Sequence, residues 1–164
     1  MLARVILTAA ALTGALAGGL HSAAAQGAVQ DQTVACLSTM GAQTTWDQCR
    51  RALFEPCAQD AVGSAPHLAC LQSQKADWRG YLDTKTESLN TRLTTEGSGQ
   101  LSDLLGQWFG FVGNKCSAVA QEKAAISADA AMLGCEISEF AGLATEFDSC
   151  LQGNSTSPYC TLKD

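Results

Sequence analysis

All eight cysteines of this 164-residue chain (Cys36, Cys49, Cys57, Cys70, Cys116, Cys135, Cys150 and Cys160) lie beyond an N-terminal segment built like an export leader. The two features explain each other. Thiols that leave the cytosol meet an oxidising compartment, where an even set reads as a framework of up to four disulfides. The leader, residues 1–25, carries one positive residue, Arg4, then an apolar run from Val5 to about Leu20, and ends in Ala23-Ala24-Ala25. That plan predicts cleavage between Ala25 and Gln26. The run is rich in Ala, Gly and Thr, and short for the roughly 20 apolar residues of a membrane span. The expectation is a bacterial secretory signal and a periplasmic or secreted protein with no transmembrane anchor after cleavage. Thr33-Val34-Ala35-Cys36 fits a lipidation box poorly, because Thr33 stands where Leu belongs and polar residues precede it.

Removing residues 1–25 leaves 139 residues, enough for one small domain with one core. It also removes Arg4 and no acid, so the formal charge goes from −6 to −7. An acidic balance argues against nucleic acid or an anionic membrane as partner, since both need a basic footprint. It suits a basic protein partner, which complementary charge would steer.

The mature chain, residues 26–164, reads as all-α: one disulfide-stabilised bundle of four or five helices with a disulfide-tied C-terminal tail. From about Ala124 to Phe147, the positions Ile126, Ala130, Leu133, Ile137, Phe140, Ala144 and Phe147 alternate steps of four and three, the seam of a packed helix. A second stripe runs from Leu101 to Val119 through Leu104, Leu105, Trp108, Val112 and Cys116, and a third from about Pro66 to Leu93 through Leu68, Leu71, Trp78, Leu82 and Leu89. Thr94 to Gly99 reads as the turn between the last two, with Gly97 ending one helix and Ser98 or Ser102 capping the next. Val34 to Phe54 makes one helix or two short ones, and Pro66 suits a first helical turn.

The cysteine separations, 13, 8, 13, 46, 19, 15 and 10 residues, contain no Cys-x-x-Cys, so the residues read as structural bridges rather than a redox pair. Eight cysteines allow 105 connectivities. Pairs that staple neighbouring segments are favoured: Cys36–Cys49, Cys57–Cys70, Cys116–Cys135 and Cys150–Cys160.

No catalytic constellation emerges, and a non-enzyme without cofactor or metal is expected. After cleavage His67 is the one histidine left, and it reads as an ordinary surface residue at a helix start. A metal site would need it together with Cys57 and Cys70. No G-x-S-x-G elbow occurs. Trp78 and Trp108 fall on apolar stripes and read as core. Asn154-Ser155-Thr156 fits a glycosylation acceptor, a pattern common by chance. Glu136, Glu139 and Glu146 flank the last stripe on positions expected to face water, and are the candidate contacts for a basic partner.

One set of spacings is recognisable. Cys49, then Cys57, then Cys70-Leu71, then Trp78 and Leu82-Asp83, followed by Trp108, Cys116 and Cys135, resembles the LprI-like lysozyme-inhibitor family over about Cys36 to Leu143. The resemblance implies a small exported helical domain that inhibits a lysozyme by surface complementarity. Its polar signature positions differ here: Gln74, Arg79, Asp83 and Thr86 replace an acid, Asp, Asn and Tyr; Phe111-Val112-Gly113 replaces Tyr-Arg-Asp; and Phe140 and Leu143 replace Thr and Arg. The resemblance therefore speaks for the fold more than for the activity. The rival reading is a non-enzymatic structural or assembly factor of the cell envelope.

Overall fold

Three short hydroxyl side chains start the three long helices. The computed structural model describes residues 23–38, 46–153 and 157–162. Within them lie α1 (Ala23–Ser38), α2 (Trp46–Phe54), α3 (Ala65–Asn90), α4 (Thr95–Glu122) and α5 (Ala128–Leu151), with 3₁₀ turns at Glu55–Cys57 and Pro158–Thr161. Ser64, Thr94 and Ser127 are the N-caps of α3, α4 and α5, their hydroxyls accepting from the backbone N–H of His67, Gly97 and Ala130 at 3.4, 3.2 and 3.2 Å. Each satisfies an amide that the first turn leaves without an intrahelical partner. Pro66 sits in the first turn of α3, where its missing N–H costs nothing.

Two boundaries differ from the sequence reading. α4 begins at Thr95, so Gly97 and Ser98 lie inside its first turn instead of ending α3. The α4–α5 junction occupies residues 123–127, so Ile126 falls off the α5 stripe into a loop, where it is 72% exposed. In both cases a hydroxyl cap upstream or downstream of the apolar spacing fixes the helix start. The leader through residue 22 and Asn154-Ser155-Thr156 lie outside the described residues.

α5 is the central helix, packed against α1, α2, α3 and α4. That explains why it buries more than one face: Ile137, Ala141, Ala144 and Phe147 are fully enclosed, and Phe140 and Leu143 nearly so. Leu53 of α2, Leu82 of α3 and Leu101 of α4 close on it. Ala141 and Ala144 let neighbouring backbones approach, and Phe147 supplies bulk where Tyr159 of the tail meets it edge-on at 5.1 Å. Trp78 is buried in this core. Trp108 is half-buried against Phe140, ring centres 6.0 Å apart.

Four disulfides tie the bundle: Cys36–Cys49 joins α1 to α2, Cys57–Cys70 joins the 3₁₀ turn to α3, Cys116–Cys135 joins α4 to α5, and Cys150–Cys160 fastens the tail to α5. They are the pairs that stapling of neighbouring segments favours, with Cα separations of 5.6, 5.6, 5.4 and 4.9 Å. Such a framework belongs to a protein that works outside the reducing cytosol. Among the described residues, no helix is long and apolar enough to cross a membrane.

Charge is organised around α5 as well. The helix carries Asp129, Glu136, Glu139, Glu146 and Asp148 and no basic residue. Its neighbours supply the cations: Lys75 and Lys85 of α3 reach Glu136 and Asp148 at 2.6 Å each, and Lys115 of α4 reaches Glu139 at 2.7 Å.

The chain's two tyrosines, Tyr81 and Tyr159, both titrate above the ordinary phenol value of 10.0. Burial is the main cause for each. The hydrogen bond that Tyr81 donates to Asp31 at 2.6 Å adds to it, as do the charges of Asp31 and Asp148. For Tyr159 the second cause is the charge of Glu146. Because the folded values are raised, the resulting stabilisation is complete below pH about 10 and is lost as pH climbs through the folded values. Tyrosinate absorbance of the native protein should therefore rise later than that of the urea-unfolded chain. Coincident curves would show that neither ring is held neutral by the fold.

Candidate functional site

A concavity of about 700 Å³ is an open groove whose floor is one face of α5. Ser127, Ala130, Ala131, Gly134, Cys135 and Ser138 recur at helical spacing along that face. Their small side chains leave room that Leu or Phe would fill. α4 forms one wall through Lys115, Val119 and Lys123, each four residues from the next. α3 forms the other through His67 and Leu71, with Phe54 from the end of α2 so placed that a Cβ added at Gly134 would lie 3.6 Å from its ring. Cys116–Cys135 bridges wall to floor and so sets the groove's width.

Two loops close one end. Val62, 62% exposed, comes from the segment before α3, and Ile126 from the α4–α5 junction. The loops dock through Gly63, which has φ +79° and whose added Cβ would lie 2.9 Å from that of Ser127. Both the left-handed backbone and the close approach need glycine there. The Gly63 N–H donates to Nδ1 of His67 at 3.3 Å. His67 is thus half-buried and orders the loop that carries Val62, which corrects the reading of it as an ordinary surface residue. Nothing in the spacing around Pro66 announced this, because the partner is a backbone amide four residues upstream.

The expected partner-binding acids are placed differently from expectation. Glu136, Glu139 and Glu146 are half-buried rather than facing water. The side chains of Glu136 and Glu139 are 14% and 22% exposed and already engage Lys75 and Lys115. Glu136 Oε2 meets Lys75 as an ion pair outside hydrogen-bond angles. Glu146 lies near Tyr159. The physical reason is the central position of α5: positions flanking its main stripe are covered by α3 and α4 instead of solvent. Of the three, Glu139 alone lines the groove.

The supposed metal set does not assemble, because Cys57 and Cys70 bond to each other. No cluster of three or more His, Cys, Asp or Glu suited to a metal occurs among the described residues. A second hollow, about 250 Å³, lies between α1, α2 and α3 and is lined by Gln30, Gln74, Asp77 and Trp78. The amide oxygens of Gln30 and Gln74 are buried there without a hydrogen-bond partner among the described residues. Polar acceptors in a hollow of that size suit ordered water. The α3–α4–α5 groove, with apolar walls and a few charged groups, is the better ligand seat. Compared with family models, curated proteins and solved structures, the chain finds no match in any of the three.

Proposed function

We propose that this chain is an exported binding protein of the periplasm or cell exterior that acts by holding a ligand in the α3–α4–α5 groove, without chemistry of its own. The observation that carries the reading is the groove itself. Its rim exposes Val62 and Ile126, two of the three exposed large apolar side chains among the described residues, beside a width set by a disulfide. Apolar side chains held open on rigid walls lower the ordering cost of binding. The test is native mass spectrometry of the oxidised protein recovered gently from its own compartment. A small ligand should accompany the natural chain and be lost from Ala131→Trp, which fills the floor. Equal spectra from two equally folded proteins would overturn the reading.

Lysozyme inhibition, the function implied by the family resemblance, is the second reading, and it rests on charge. Asp103, Glu122 and Asp129 are exposed and enter none of the ion pairs found among the described residues. They suit a basic enzyme better than Glu136 and Glu139, whose charges are already matched. Inhibition should then weaken as salt shortens the Debye length, about 8 Å at physiological ionic strength. Neutralising Asp103, Glu122 and Asp129 together should slow association more than it alters dissociation. A lysozyme left fully active by micromolar protein at low salt would end this reading for that enzyme and leave the envelope factor in its place.

A further inference from the structure

We infer that the groove's ligand is an amphiphile with an anionic head: an acyl-type chain lies along the small-residue floor of α5, and its head group meets Lys123. The inference rests on the groove being the binding seat and adds the chemistry of what sits there. Four ionisable side chains line the groove: His67, Lys115, Lys123 and Glu139. Glu139 is the one acid, and Lys115 already engages it at 2.7 Å. Lys123 caps the end of α4, is exposed, and joins none of the ion pairs among the described residues. In a chain of net charge −6, the groove lining thus holds one unmatched cation, Lys123, while the neighbouring acids Glu122 and Asp129 stay outside that lining. Lys123 attracts an anion and disfavours a cation.

The rest of the lining is apolar or small. Phe54, Leu71 and Val119 stand along the walls, and Ala130, Ala131 and Gly134 form the bed. The volume of about 700 Å³ falls within the range of small-molecule sites, about 300–1,000 Å³. A stable protein interface covers about 800 Å² on each partner, and Val62 and Ile126 at one end of the groove do not make an apolar patch of that extent. The shape therefore suits a chain-like apolar ligand, and the charge selects its head.

The experiment titrates the oxidised protein with dodecanoate, dodecanol and dodecyltrimethylammonium below their micelle concentrations, read by amide chemical shifts. Dodecanoate should shift the groove residues and bind about tenfold more tightly than the ammonium amphiphile, the ratio that one well-placed charge contact supplies. Lys123→Gln, an exposed change that the fold tolerates, should remove most of that preference while leaving dodecanol unaffected. Equal binding of the anionic and cationic amphiphiles, or a preference that survives Lys123→Gln, would overturn the anionic head. If no amphiphile binds yet Ala131→Trp still strips a native ligand, the amphiphile is wrong and the groove stands. If Ala131→Trp changes neither measurement, both fail.

Discussion

Reduction of the four bridges should cost this chain its cooperative fold. Each closes a loop, with separations of 13, 13, 19 and 10 residues, and each contributes about 2–4 kcal/mol by restricting the unfolded chain. Together they rival the whole margin of a small domain, about 5–15 kcal/mol. The apolar core alone offers little reserve: α5, its central helix, fills three of its seven buried positions with alanine, and aromatics make up 6% of the chain. With reductant at neutral pH, the thermal transition followed by circular dichroism should shrink or disappear. Removing only Cys116–Cys135, by Cys116→Ser with Cys135→Ser, should cost about 3 kcal/mol and loosen the groove, because it is the covalent link between its α4 wall and its floor. A reduced protein that melts as sharply and as high as the oxidised one would show that helix packing suffices.

Much of this framework was legible because cysteine spacing and apolar spacing are local signals. The α5 stripe from Ala130 to Phe147 and the four pairings could be read from separations along the chain. The groove could not. Ala130, Ala131, Gly134 and Ser138 are individually ordinary helix residues, and they make a floor only because α3 and α4 stand on either side. The same geometry misplaced the acids. Glu136 and Glu139 flank the stripe, and on a peripheral helix those positions would meet water. α5 is enclosed, so they meet Lys75, which already interrupts the apolar stripe of α3 between Leu71 and Trp78, and Lys115.

Ile126 shows a different failure. It continues the four-and-three arithmetic of α5, yet Ser127 intervenes as a cap, accepting from Ala130 N–H with Asp129 in the first turn. The capping signal was present in Ser127-Ala128-Asp129 and outranks the apolar spacing, because an unsatisfied first turn costs more than one exposed isoleucine gains. The consequence is functional: Ile126 becomes part of the groove's rim instead of its bundle's seam.

Alanine in place of Gly106, Gly110 and Gly113 should raise stability, and the combined change should be among the largest that any exposed substitutions in this chain produce. All three lie in α4, and none has a positive φ. A Cβ added at any of them meets nothing within 4 Å. They share one outward stripe, at steps of four and three, so the added methyl groups point to solvent. In a helix interior glycine is about 0.5–1 kcal/mol worse than alanine, through the entropy its backbone loses on folding. The three sites make no contact with each other's new methyls that would couple them strongly, so the gains should nearly add, giving about 1.5–3 kcal/mol for the triple variant. Urea unfolding should show a higher midpoint with an unchanged slope, the mark of altered stability rather than altered compactness. A triple variant no more stable than the natural chain would mean that the outward face of α4 is covered in solution.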